Sequence, residues 1–294
     1  MVIVRLTGGL GNQMFQYAAG RALADRLGTE LLLDTRAFER TLALRAYTRR
    51  SYALSPFKLR ARVAGPEDLK NWPSWVVEIG MRLRPVRPLL RRWHFEATID
   101  YDPGVRTLHQ PVCLVGYWQS ERYFDDISDR IRADFTLREP LSGANAGLLE
   151  LARSNVSVGL HVRRGDFVSL ENAAQMHGLC SIDYYRRAME LVRSASPQCR
   201  FIVFSDDPEW ARAELPLDSS AVFVSGNELS PELDLALMNA CKHHILANSS
   251  FSWWAGWLGY SPEQIVIAPA PWYANPKMNA RDLAVSRWRY INRT

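Results

Sequence analysis

The residues with the clearest capacity for chemistry lie in one run, His161-Val162-Arg163-Arg164-Gly165-Asp166. Two adjacent guanidinium groups, each permanently charged and each a planar fork of donors, match the oxygens of a phosphate. Gly165 lets the backbone turn beside them. A surface arginine pair bonded to nearby carboxylates is the plainer alternative, and spacing does not separate the two. A second run, Asn248-Ser249-Ser250-Phe251-Ser252-Trp253-Trp254-Ala255-Gly256-Trp257, sets small polar residues ahead of an apolar helical stretch. Such a start is either a simple N-cap or a set of free N–H groups offered to an anion. Its tryptophans suit a core face, or one of them lines a base or sugar pocket. A third run, Phe204-Ser205-Asp206-Asp207-Pro208, carries carboxylates. They suit the N–H groups of a guanine ring or a ribose hydroxyl, while Asp207 also suits the N-cap of a helix opened by Pro208.

The opening loop, Gly8-Gly9-Leu10-Gly11-Asn12-Gln13-Met14, invites a dinucleotide-binding reading with Asp34 as the ribose acid. Met14 stands where the third glycine of G-x-G-x-x-G belongs, and Asn12 and Gln13 bring side chains where that fold wants bare backbone. The reading is therefore rejected. A loop in which Gly11 and Asn12 present amides to a sugar or pyrophosphate fits better. Asp100-Tyr101-Asp102 is a lone D-x-D followed by Pro103-Gly104, which reads as a turn rather than a metal site. His243 and His244 are adjacent, so on a strand they point to opposite faces and do not chelate.

These runs need strand ends to hold them. Val2–Leu6, Leu31–Asp34, Val112–Val115, Val156–Val162, Phe201–Phe204, Val222–Val224, His244–Ala247 and Ile265–Ala268 read as short buried strands. Helical spacing follows Gly11 and stops at Gly28, and returns over Asp183–Arg193, Pro231–Cys241 and Phe251–Leu258. Strands alternating with helices predict an α/β fold with parallel, doubly wound sheets, one in each half. Each arginine, serine or asparagine run above follows a strand, at the sheet edge where such folds bind ligands. Residues 36–110 carry prolines at 56, 66, 73, 85, 88 and 103, which predict short helices and loops. The boundary falls between residues 136 and 155, dividing the chain into 1–145 and 146–294.

Length and composition agree with this. A chain of 294 residues fills one large domain or two medium ones. With 47% hydrophobic and 23% charged residues, disordered and collagen-like classes are excluded. No apolar run reaches the roughly 18 residues of a membrane span, and Met1–Leu6 lacks the basic leader of a signal peptide. A cytoplasmic protein is expected. Cys113, Cys180, Cys199 and Cys241 form no C-x-x-C pair and read as separate thiols. A net charge of +5 suits an anionic small molecule, a membrane surface or nucleic acid, or simple solubility. Arg82, Arg84, Arg87, Arg91 and Arg92, interleaved with Leu83, Leu89, Leu90 and Trp93, offer a basic surface for peripheral membrane contact at the inner face. Pro85 and Pro88 argue against one regular helix there. Nucleic acid is not expected as a partner.

Gly9-Leu10-Gly11-Asn12-Gln13-Met14-Phe15-Gln16-Tyr17, the His161–Asp166 run, Ser205-Asp206-Asp207 and Asn248–Trp254, in that order, resemble the motifs of the family 11 glycosyltransferases, the α-1,2-fucosyltransferases, particularly bacterial members. The resemblance implies a GT-B type fold, two Rossmann-like domains facing across a cleft, with the acceptor on the N-terminal side and GDP-fucose on the C-terminal side. It implies inversion at the anomeric carbon, no metal and no cofactor, GDP-fucose as donor and a galactose-ended oligosaccharide as acceptor. Another acceptor or linkage in the same fold is the nearest alternative; a basic membrane or nucleic-acid binding protein without transferase activity is the remote one. By the same resemblance Arg163, and with it Arg164, contacts the donor pyrophosphate, and Asn248, Ser249, Ser250 and Phe251 complete the nucleotide site; from their own places in the sequence Gly11, Asn12, His161, Ser205 and Asp206 are also expected to contact GDP-fucose. For the proton of the attacking hydroxyl, Asp166, Glu171 and His177 are all close in sequence. Asp166 equally suits orienting Arg163 or His161, and a late proton loss would need no strong base.

Overall fold

The computed structural model describes residues 1–40, 50–154, 156–278 and 280–294. The chain folds as two α/β units, Met1–Arg138 with Arg281–Ala284, and Glu139–Ala280 with Val285–Thr294. The division after Arg138 lies within the 136–155 range expected from the sequence, though seven residues before the 145/146 split, and Arg281–Ala284 belongs to the first unit.

In the first unit, β1 (Val2–Arg5), β2 (Leu31–Asp34), β3 (Arg62–Val63), β4 (Trp93–Phe95) and β5 (Val112–Val115) form a parallel sheet in the order β3-β2-β1-β5-β4. Ile3, Leu32, Trp72, Phe95, Cys113 and Val115 pack together in one core cluster. The helix Leu10–Arg26 is buried along most of its length, and Gly28, with φ of +59°, lets the chain leave it where a residue with a Cβ would be strained. β3 and β4 fall within the proline-broken stretch expected to hold helices and loops. Two or three residues are too few to show alternation, and their partners β2 and β5 supply the order that the local sequence does not.

In the second unit, β6 (Ser157–Val162), β7 (Arg200–Ser205), β8 (Val222–Phe223), β9 (His243–Ile245), β10 (Val266–Ala270) and β11 (Arg289–Asn292) form a parallel sheet in the order β11-β10-β9-β6-β7-β8. Counted from its own first strand this is 6-5-4-1-2-3, the doubly wound order whose direction reverses between β6 and β9. β11, Arg289-Tyr290-Ile291-Asn292, is too short, with a polar residue at each end, to stand out in the sequence. Val158, Leu160 and Val162 alternate onto one face of β6, where Tyr184, Tyr185, Ala188, Met189 and Val192 of helix Ile182–Ala195 cover them. Each large apolar side chain buried there contributes about 1.5–3 kcal/mol. His161 takes the other parity and faces away from that cluster. Trp253, Trp254 and Trp257 are fully buried, and ring contacts join Trp253 to Trp288, which makes them core. Among the described residues no helix is long and apolar enough to cross a membrane.

Candidate functional site

Three of the four chemistry-bearing runs meet at the carboxyl edge of the second sheet. β6 leads into Arg163 and Arg164, its neighbour β7 into Asp206 and Asp207, and β9, on the other side of β6, into Asn248 and the helix Ser250–Leu258. This edge lies at the switch point, where diverging crossovers leave the strand ends uncovered.

The two arginines are held by two aspartates. Asp206 uses both oxygens. Oδ2 pairs with Arg163 Nη1 at 2.9 Å and Oδ1 accepts the Arg164 backbone N–H at 2.8 Å. A Cβ at Gly165 would stand 2.7 Å from Asp206 Oδ2, so a larger residue there would push that carboxylate off Arg163. Asp207 Oδ2 takes Arg164 Nε at 3.0 Å while Oδ1 caps the helix Pro208–Glu214 through Trp210 N–H at 3.2 Å. The Arg164 guanidinium lies over the Trp210 ring, 4.0 Å from its centroid. Ser205 Oγ accepts the Asp207 N–H. The Asp206 side chain, expected to contact the nucleotide, is thus already committed to shaping the arginine loop, and Ser205 to shaping the next one. These are pre-organised cations, with side chains still about a quarter exposed at Arg163.

Beneath Arg163 lies a stacked aromatic layer that sequence reasoning did not find. Phe167 has the Arg163 guanidinium 5.7 Å from its ring and stacks on His177 at 4.7 Å with planes 8° apart. His177 also meets Tyr273 at 5.6 Å. Burial, then the charges of Arg163 and Arg293, pull the His177 pKa below its usual value, so the ring is neutral at pH 7. Tyr184 and Tyr185 brace the strand ends: Tyr184 donates to Leu246 O at 2.6 Å and Tyr185 to His161 O at 3.2 Å. Paired tyrosines on a helix otherwise facing core are the available signal, since a buried hydroxyl must find an acceptor.

Asn248, expected among the substrate contacts, has a different task. It is 1% exposed, and its Nδ2 donates to the carbonyls of His177, Gly178 and Trp272 at 2.9, 3.1 and 3.2 Å. A group spent on three carbonyls of separate loops ties those loops together rather than reaching for a ligand. Ser249 Oγ caps the helix through Phe251 N–H, Ser250 begins it, and the half-buried Phe251 ring meets the His161 ring at 5.3 Å. His161 is buried, and Nδ1 has no hydrogen-bond partner among the described residues.

Of the candidate bases, Glu171 is exposed in the first turn of Glu171–His177 and accepts from Gln175 Nε2 at 3.1 Å. The Asp166 side chain lies outside the described residues. Gly11 and Asn12 belong to the first unit, in the first turn of Leu10–Arg26, where Asn12 Oδ1 accepts from Gln119 Nε2 at 2.8 Å. Beside them Gln13 donates to Gly8 O and Ser51 O and accepts from Ala53 N–H. Gln16 spans Thr7 and Gly116 O. Both glutamines are fully buried, so this motif holds loops at the sheet edge. Asp34, the rejected ribose acid, is buried and gripped by Arg36 at 2.8 Å. Asp102 of the D-x-D caps a helical turn through Gly104 N–H and faces His94 Nε2 at 2.9 Å. His243 and His244 each have their own partners, Ser196 and Ile265 for one, Met238 and Gln264 for the other.

Burial presses both His161 and His244 down to about 4, from an ordinary value of 6.5. Both are neutral in the folded chain at pH 7, and the unfolded chain protonates first as pH falls. Their contribution to stability is therefore complete above pH 6.5 and is lost as pH falls from 6.5 towards 4, by about 1.4 kcal/mol per pH unit for each ring. Urea unfolding across the upper part of that window, where carboxylates remain ionised, should show the fall. A flat profile there would contradict it.

A family model described as glycosyl transferase family 11 matches residues 105–292. An alpha-1,2-colitosyltransferase of Escherichia coli is 34% identical over 100% of this chain and 99% of its own length. A galactoside alpha-(1,2)-fucosyltransferase 1 of Saimiri boliviensis boliviensis is 31% identical, covering 85% of this chain but 63% of its own. Among solved structures, the fucosyltransferase NodZ from Bradyrhizobium superposes with a TM-score of 0.51 at 16% identity, over 86% of this chain and 91% of its own. That last likeness is one of fold, and it bears out the GT-B class with its two Rossmann-like units.

Proposed function

Because the chain belongs to glycosyl transferase family 11, we propose that this glycosyltransferase moves L-fucose from GDP-β-L-fucose to the 2-hydroxyl of a galactose in an oligosaccharide, with inversion and without a metal. The observation that carries the reading is the pair Arg163 and Arg164, fixed by Asp206 and Asp207 at the switch point of the second sheet. Leaving-group departure concentrates negative charge on the β-phosphate. Donors set in place before the reaction stabilise that charge without reorganising during it. Arg163 is the main such donor, and its planar fork suits two phosphate oxygens. The sugar becomes oxocarbenium-like, and the acceptor hydroxyl attacks the opposite face. Neutral His177 beneath Arg163 keeps the site from gathering a further positive charge at pH 7.

The names of the two relatives support transfer in α-1,2 linkage, and the fucosyltransferase's name supports a galactoside acceptor. The colitosyltransferase, alike over its whole length, favours a second donor: a GDP-activated colitose, which is L-fucose without its 3-hydroxyl. A transfer assay offering both donors with lactose, followed by linkage analysis, separates them. Fucose on the galactose 2-position, with activity retained in EDTA, is expected. Preference for the 3-deoxy donor would assign the second reading. Another linkage, or activity lost in EDTA and restored by manganese, would refute the proposal.

A further inference from the structure

The first unit carries an exposed surface outside the runs assigned above to the donor site. Helix Ser74–Arg82 buries Val76, Val77 and Gly80 against its own core, so its opposite side faces out. There Trp75, Ile79 and Arg82 follow one another at i, i+4 and i+7, on a single face. The chain continues through a proline-bearing 3-10 turn, Arg84–Leu89, in which no residue is buried. Trp75 is 59% exposed, Met81 60%, Leu83 54% and Leu89 81%. Large apolar side chains exposed at this density along one short stretch mark an interaction surface.

The arginines of this stretch divide into two kinds. Arg87 turns inward, donating to Gly80 O at 2.8 Å and Glu96 O at 3.2 Å over the Phe95 ring, and Arg92 lies 4.2 Å over the Trp72 ring. They hold the segment in place. Arg82, Arg84 and Arg91 are exposed among the apolar side chains. Glu78 is the lone acidic residue between Asp68 and Glu96.

We propose that residues 75–91 dock the first unit onto an anionic lipid surface. Leu89, Met81, Leu83 and Trp75 would enter the headgroup and upper acyl region while Arg82, Arg84 and Arg91 meet lipid phosphates. The charge decides the occupant. Two copies of this face brought together would set the exposed arginines of each against those of the other. A polynucleotide would match the arginines but leave the protruding leucines and methionine facing phosphates. An anionic bilayer satisfies both sets at once. The interruption by Pro85 and Pro88 means that the surface is a short helix and a turn, not a long amphipathic helix.

The test is vesicle co-sedimentation of the full chain with phosphatidylcholine vesicles, with and without phosphatidylglycerol. Binding to the anionic vesicles that weakens in high salt is expected. Arg82→Gln, Arg84→Gln and Arg91→Gln together, and separately Trp75→Ser with Leu89→Ser, should each lower partitioning at least about tenfold, with thermal melts at the wild-type temperature. The melts show that the variants fold, and the vesicle assay uses no sugar donor, so its outcome does not depend on the proposed reaction. Failure to bind anionic vesicles, or wild-type partitioning by both variants, would overturn the proposal. So would a dimer in light scattering that Trp75→Ser with Leu89→Ser abolishes, because the occupant would then be a second copy.

Discussion

Arg163→Ala should lower turnover about 10²–10³-fold, the loss found when one donor to a developing oxyanion is removed. The expected effect is on kcat more than on acceptor KM, since the guanidinium answers charge that grows only as the donor bond breaks. Arg163→Lys should recover part of the loss, because a point charge replaces half of what a planar fork does. Folding should survive. The Arg163–Asp206 pair is about a quarter exposed, so its loss costs between the roughly 1 kcal/mol of a surface pair and the roughly 3–5 kcal/mol of a fully buried one. Asp206 would still accept the Arg164 N–H. Initial rates with GDP-fucose measure the effect; a variant within about threefold of wild type would remove Arg163 from the donor role, since one lost charge-assisted contact exceeds that.

Asn248→Ala has the second largest expected effect, and it falls first on stability. Removing Nδ2 takes that donor from the carbonyls of Gly178 and Trp272, while His177 O keeps its bond from Arg293 Nη1. Each unsatisfied group costs about 1–3 kcal/mol, so the two together give an expected loss of roughly 2–6 kcal/mol in urea unfolding. Asn248→Asp discriminates the roles. The carboxylate keeps the shape but brings an acceptor against three acceptors, so it should be at least as destabilising as alanine. A side chain that instead served the substrate would tolerate Asp in the fold and raise the donor KM. Wild-type stability in both variants would overturn the structural role. Activity should fall as well, because His177 O is one of the tied carbonyls and its ring supports Phe167 under Arg163.

The comparison of these two residues shows what a sequence can and cannot reveal about the site. Arg163 was legible as a cation at a strand end, but its spacing did not separate a phosphate contact from an arginine bonded to nearby carboxylates. Asn248 was legible as a position but not as a role, because nothing local distinguishes an amide that meets a ligand from one that meets three distant carbonyls. The same holds for Asp206. Its place after a strand was readable, but its pairing with Arg163 depends on β6 and β7 being neighbours in register, Val162 beside Ser205. Phe167 and His177 meet only because the chain turns twice between them, through helices Gly165–Ser169 and Glu171–His177. The second sheet was largely readable, since its strands are apolar runs separated by capped helices. Three strands were not. β3 and β4 are two and three residues long, and β11 alternates too little apolar character to stand out from a polar tail. In the opening loop Gln13 and Gln16 read as part of a motif, yet only the fold shows that both are buried amide clamps rather than groups offered to a sugar.

The most direct measurement is a crystal soaked with GDP. The diphosphate is expected beyond the carboxyl ends of β6 and β9, with its terminal phosphate in salt-bridge range of Arg163. A nucleotide bound elsewhere, with Arg163 and Arg164 left against Asp206 and Asp207 and facing solvent, would contradict the assignment of this edge to the donor.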